Sequence, residues 1–102
     1  MNDILIQQAM RKAIGSNCNY KVGAIGFDRR GDVLAVTRNY SRYDWYSGSK
    51  HAEMAMLEEC GPKLHSIFIF RVTKGGLLRS IECCDRCQRV LDKKGIRVYS
   101  VT

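Results

Sequence analysis

His51-Ala52-Glu53 and, further along, Cys84-Asp85-Arg86-Cys87 are the residues of this chain whose types and spacing can do chemistry. One imidazole and two thiolates make a three-ligand zinc site with its fourth position open, and an acid two residues from the histidine can reach whatever fills that position. That is a hydrolytic centre in outline. A helix beginning near His51 would hold the imidazole and the Glu53 carboxylate in its first turn on different sides of its axis, so that one binds metal while the other faces the open position. If a second helix starts at Cys84, a separation of three sets Cys87 on the same face one turn on. Both sulfurs then lie at a helix N-terminus, where orphan N–H groups and the macrodipole favour thiolate over thiol.

Each half alone has a plainer account. A single Cys-x-x-Cys in an intracellular protein serves as a redox pair or as half of a closed structural zinc site, and His-Ala-Glu occurs by chance in many helices. Taken together in this order, with a strand-like segment between them and a strand-like hairpin before them, they match the His-x-Glu and Cys-x-x-Cys pattern of zinc deaminases that act on nucleobases. On these residues the chain resembles the cytidine deaminase superfamily.

The elements that must position the site follow from periodicity. Residues 3–14 place Ile4, Leu5, Gln8, Met10, Ala13 and Ile14 in a helical rhythm with Gln7, Arg11 and Lys12 outward, stopped by Gly15-Ser16-Asn17. Cys18 follows as a small buried thiol. Residues 20–27 and 33–37 are expected strands, joined by Asp28-Arg29-Arg30-Gly31-Asp32, whose glycine supplies the positive φ of a tight reversal. Residues 40–50 are polar and aromatic and run straight into His51. Tyr40, Tyr43, Trp45 and Tyr46 with Arg42 there wall a pocket, stacking on a base or meeting phosphate, or else some of Tyr43, Trp45 and Tyr46 close the core over the helix. Residues 51–60 read as a helix capped by Ser47 or Ser49, with Ala52, Ala55 and Met56 towards a sheet and an end at Gly61-Pro62. Cys60 is structural and His65 an exposed turn residue.

Residues 66–72, apolar on both faces, form a central strand. Residues 77–82 connect to a helix over 84–94 with Val90 and Leu91 inward, and residues 96–101 form the last strand. Helix, hairpin, helix, strand, helix, strand is a three-layer α/β/α sandwich with a mixed sheet, its helix-linked strands parallel.

Further residues carry the resemblance. Val22-Gly23-Ala24-Ile25, then Gly31-Asp32-Val33-Leu34-Ala35, then Arg38-Asn39 look like the "VGA, G-x-V-x-A, N" opening of that superfamily. The resemblance implies zinc held by His51, Cys84 and Cys87, with Glu53 as proton shuttle in a hydrolytic deamination of a cytosine-type base. It also implies substrate contacts at Ala24, Ala52 and Asn39, with the asparagine on the sugar. For Gly23-Ala24 the residues alone also admit tight strand–helix packing. There are two departures from the pattern. Cys83 stands where proline usually precedes the cysteine pair, which loosens the first helical turn and leaves a third thiol beside the metal. A fifth strand and a further helix, which often shape the pocket, have no counterpart.

The whole chain sets bounds. Its 102 residues, 45% hydrophobic, suit one domain with one core. No apolar run approaches a membrane span, and the opening Met1-Asn2-Asp3 lacks the basic and apolar regions of a signal peptide, so a cytosolic protein is expected. Five cysteines, two with better use as ligands than as a bridge, indicate reduced thiols. A net charge of +7 attracts phosphate-bearing partners or serves solubility alone. The expected activity is deamination of a nucleoside or nucleotide. Its rivals are a deaminase of single-stranded nucleic acid and an inactive zinc-stabilised binding module. An open edge on the last strand argues for a homo-oligomer.

Overall fold

The structure is a computed structural model describing residues 3–15, 21–41 and 49–100. In chain order its elements are α1 (Asp3–Ile14), β1 (Lys21–Phe27), β2 (Val33–Arg38), β3 (Tyr40–Ser41), β4 (Ser49–Lys50), α2 (Ala52–Cys60), a 3-10 turn (Gly61–Lys63), β5 (Ser66–Val72), β6 (Leu78–Arg79), α3 (Asp85–Lys93) and β7 (Arg97–Ser100).

The hairpin of β1 and β2 forms because its turn is doubly specified. The Asp28 carboxylate accepts hydrogen bonds from the N–H groups of Arg30 and Asp32, each at 2.9 Å, an Asx-type turn. Gly31 takes φ +87°, a conformation that a Cβ would strain. The antiparallel pairing runs from Gly23 opposite Arg38 to Gly26 opposite Ala35 and then shifts register at a bulge beside Phe27.

As the apolar run at 66–72 predicts, β5 is the central strand. One of its edges pairs antiparallel with β1. The other takes β7 in parallel along Ser66–Ile69 and the short β6 antiparallel at Arg71 and Val72. β6 falls in the stretch expected to be only a connection, since two residues are too few for an alternating pattern to register. Because β2 and β5 both run opposite to β1, the strands linked by α2 are parallel, and so are those linked by α3, as expected.

Alternation in the two inner strands sorts the core into layers. Val22 and Ala24 of β1 and Ile67 and Ile69 of β5 pack with Ala52, Met56 and Leu91, which belong to α2 and α3. Ile25, Phe70 and Val72 pack on the other side with Ala9 and Ala13 of α1. The result is the expected three-layer α/β/α sandwich around a mixed sheet.

The face that α1 buries differs from the sequence expectation. Ile4 and Ile14 are 64% and 50% exposed, whereas Ala9 and Ala13 are fully covered. With partly buried Leu5, the alanines form an i, i+4, i+8 stripe, and their small side chains let the helix approach the sheet. The capping expectation is also corrected. The residue preceding α2 is His51, with no side-chain cap bond, and Ser49 lies in β4, paired with Ser41. Ser47, Cys18, Arg42, Tyr43, Trp45 and Tyr46 lie outside the described residues.

Gly23 is a packing requirement. It sits opposite Phe70 in the ladder, and a Cβ there would press into the Phe70 ring and come within 3.1 Å of the Ala13 methyl. At Gly26 a Cβ would press into the Met56 thioether and come within 3.0 Å of the Leu64 side chain. A methionine yields more readily than a buried ring. Gly23→Ala is therefore expected to destabilise by about 1–3 kcal/mol, lowering the melting temperature by roughly 4–8 °C per kcal/mol, and Gly26→Ala by less. Equal thermal shifts in the two variants would show that Phe70 does not set the constraint.

Candidate metal centre and active site

Two helix starts converge at one end of the sheet. His51 precedes α2 with extended backbone (φ −76°, ψ 148°), and its carbonyl accepts the first helical bond from Ala55 N–H at 3.1 Å. Cys84 precedes α3 in the same conformation (φ −64°, ψ 154°), its carbonyl accepting from Gln88 N–H at 2.8 Å. The Cys84 sulfur accepts the N–H of Cys87 at 3.4 Å, which is the geometry of an N-cap side chain. Each helix thus begins one residue later than expected, and His51 and Cys84 are cap residues with side chains free of helical crowding.

Long-range hydrogen bonds fix where these starts sit. The Thr37 hydroxyl, at the end of β2, donates to the Ala52 carbonyl at 2.8 Å in the interior, tying the first turn of α2 to the sheet. Ser100 of β7 donates to the Ile69 carbonyl at 2.8 Å and accepts from Ile81 N–H at 3.0 Å, which holds the segment entering the cysteine helix against the central strand. Thr37 and Ser100 carried no signal in the sequence; only their cross-element partners reveal the role.

The expected ligand atoms meet. His51 Nδ1 lies 3.3 Å from Cys84 Sγ and 3.4 Å from Cys87 Sγ, and the three atoms all fall within 4.8 Å of one another. Tetrahedral zinc with ordinary Zn–S and Zn–N lengths would put nitrogen and sulfur about 3.6 Å apart. Two thiols and an imidazole at this separation fit zinc in both donor type and spacing.

Glu53 is 4% exposed, and its Oε2 accepts a hydrogen bond from the Cys83 thiol at 3.4 Å. Glu53, Cys83 and Cys87 form a second set of ligand-type atoms within 4.8 Å, so the Cys83 thiol reaches into the centre. Burial first, then the Glu53 charge, pushes Cys83 up to about 12. Burial first, then a hydrogen bond with Cys84 and the charge of Glu53, raises Cys87 as well. Such thiols keep their protons until a cation offsets the cluster's charge, so metal binding here must release protons.

The remaining expected positions are arranged differently. Ala24 and Ala52 are fully buried, side chain and backbone alike. Asn39, 8% exposed, accepts Val22 N–H on its side-chain oxygen at 3.0 Å and donates its own N–H to the Val22 carbonyl at 3.0 Å, extending the β1–β2 ladder by one residue. Cys60 donates to Met56 sulfur at 3.4 Å, and burial, then Glu59, raises its pKa. His65 is exposed, and among the described residues it joins no ligand-type group.

No family model matches the chain, and neither does any curated protein. Solved structures do. A cytidine deaminase from Mycobacterium tuberculosis aligns with TM-score 0.64 at 19% identity, over 96% of this chain and 85% of that one. One from Burkholderia pseudomallei aligns with TM-score 0.62 at 20% identity, over 93% and 78%. One from Mycobacterium leprae gives 0.64 at 17%, over 96% and 87%. The chain has the fold of cytidine deaminases, in a form shorter than these neighbours.

Purified protein is expected to carry about one tightly held zinc per chain, because three fitting donors meet without rearrangement. Cys84→Ser or Cys87→Ser should lose it, whereas Cys83→Pro should keep it. Removing the metal should lower the melting temperature, since the ligands join two helix starts, and affinity should fall as pH falls because protons must leave the thiols. Metal analysis and thermal melts check this; an unchanged melt after complete zinc removal contradicts it.

Proposed function

We propose that residues 1–102 form a single zinc-dependent hydrolase domain that removes the exocyclic amine of a cytosine-type base in a small nucleoside or nucleotide. The observation carrying this reading is the buried Glu53 carboxylate set against the His51, Cys84 and Cys87 cluster. A purely structural site has no use for an acid there, because burying a carboxylate costs several kcal/mol unless it is compensated.

Zinc bound by His51, Cys84 and Cys87 supplies Lewis acidity that makes water nucleophilic near neutral pH. Glu53 does the proton work. Its carboxylate takes a proton from the attacking water and delivers it to the ring nitrogen beside C4. It then carries the remaining hydroxyl proton to the amine, so one water is consumed and one ammonia leaves. Asn39 binds the sugar.

The net charge of +7 favours a second substrate class, single-stranded nucleic acid, held by phosphate contacts. The third possibility, an inactive binding module, predicts zinc without turnover. The four described cysteines are free thiols, which suits the reducing cytoplasm, and cell fractionation checks that assignment. No described helix is long and apolar enough to cross a membrane.

One assay separates the readings. Ammonia release is measured with cytidine, deoxycytidine, their monophosphates and a cytosine-containing oligonucleotide. Turnover of a small substrate is expected. Glu53→Ala should retain zinc and lose at least about 10²-fold in rate, and Asn39→Ala should act chiefly on KM. Full activity in Glu53→Ala would move the proton chemistry to another group, and zinc-loaded protein inert on every substrate would favour the binding module.

The assembly proposed is a homo-oligomer. Among the described residues β7 pairs only with β5, and Tyr99 on it is 49% exposed. Such an edge is ordinarily covered, and a second copy would do so while adding walls to the pocket. Light scattering at micromolar concentration is expected to give at least a dimer; a fully active monomer would refute it.

A further inference from the structure

The cluster contains more donors than one zinc needs. Besides His51, Cys84 and Cys87, a second triad of Glu53, Cys83 and Cys87 has one ligand-type atom from each residue within 4.8 Å of the others. The Cys83 sulfur and Glu53 Oε2 are already 3.4 Å apart. Around a tetrahedral zinc with ordinary bond lengths, sulfur and oxygen would stand about 3.6 Å apart, so this pair already stands at the spacing of two ligands on one metal. Glu53 is 4% exposed and Cys87 3% exposed. The buried carboxylate's oxygen has for company a thiol, a weak hydrogen-bond donor. A buried carboxylate and two thiols converging in this way are a donor set that a cation can bridge.

We propose that Glu53, Cys83 and Cys87 form a second, weaker site for a thiophilic divalent cation, zinc or cadmium, with Cys87 shared between the two sites, and that occupying it inhibits the enzyme. Two thiolates and one carboxylate select borderline-soft cations and discriminate against magnesium and calcium. The site is weaker than the first because its cation meets one sulfur already engaged and must displace a further thiol proton from Cys83. Inhibition follows directly: a carboxylate whose oxygen binds a cation cannot take a proton from water. The thiol that distinguishes this chain from the usual proline thereby makes activity sensitive to free metal.

This rests on assigning His51, Cys84 and Cys87 to the first zinc, and the test keeps the two claims apart. Protein equilibrated in buffers of graded free zinc is gel-filtered in the same buffers and its metal measured, with cobalt substitution giving the sulfur-to-metal absorption as an optical count of thiolate bonds. Wild type should bind a second equivalent at higher free zinc, with the thiolate absorption rising again. Cys83→Ala and Glu53→Gln should each stop at one equivalent, and His51→Ala should lose the tight equivalent. Added zinc should suppress wild-type turnover at concentrations that leave Cys83→Ala unaffected relative to its own zinc-limited rate. Saturation of wild type at one equivalent, or a second equivalent that persists in Cys83→Ala, overturns the proposal while leaving the first site intact. Absence of any tight zinc overturns the first assignment instead.

Discussion

Everything in this molecule answers to one requirement, that the start of α2 and the start of α3 meet closely enough for an imidazole and two thiols to share a cation. Ligand sets tolerate errors of tenths of an ångström, not whole ones, so the helices cannot be placed by apolar packing alone, which is non-directional. The directional contacts supply the difference. Thr37 holds the first turn of α2 through the Ala52 carbonyl, and Ser100 holds the approach to Cys84 through Ile81 while anchored on Ile69. Both hydroxyls reach from strand ends, so the sheet acts as the ruler against which the two helix starts are set. Gly23 and the alanines of α1 serve the same end from the opposite face, since they let the sheet be backed closely beneath the site.

The sequence carried the site well where chemistry is local, and poorly where it depends on distant partners. His51, Glu53, Cys84 and Cys87 were legible because ligand spacing and helical periodicity constrain one another within four residues. The hairpin was legible because Gly31 and Asp28 state its turn outright, and β5 because a strand covered on both faces must be apolar throughout. The face of α1 was misjudged, since large apolar residues such as Ile4 and Ile14 draw attention while two alanines make the closer contact. β6 was too short for any period to show. The roles of Thr37 and Ser100 were invisible, because a hydroxyl bonded to a carbonyl fifteen or thirty-one residues away leaves no periodic trace. Cys83 was legible as a departure, but its contact with Glu53 required the fold.

The cluster's electrostatics explain why its residues belong together. Glu53 is an anion in the interior, and ionising Cys84 and Cys87 would add two more negative charges beside it. Burial first, and the Glu53 carboxylate among the further causes, raises Cys83 and Cys87, so these two thiols resist ionisation until a cation is present. With a divalent cation the sum approaches neutrality, and the metal and the acid become mutually dependent.

Likeness of fold at 17–20% identity, with no family model or curated sequence in agreement, indicates how little of the chain the fold has to specify. The alternation of β1 and β5, the short turn at Gly31, small residues where α1 meets the sheet, and four polar residues at two helix starts suffice to describe it. The ligand-type cluster therefore depends on helix starts and strand ends near β1, β2 and β5, which the hydroxyls of Thr37 and Ser100 hold in place.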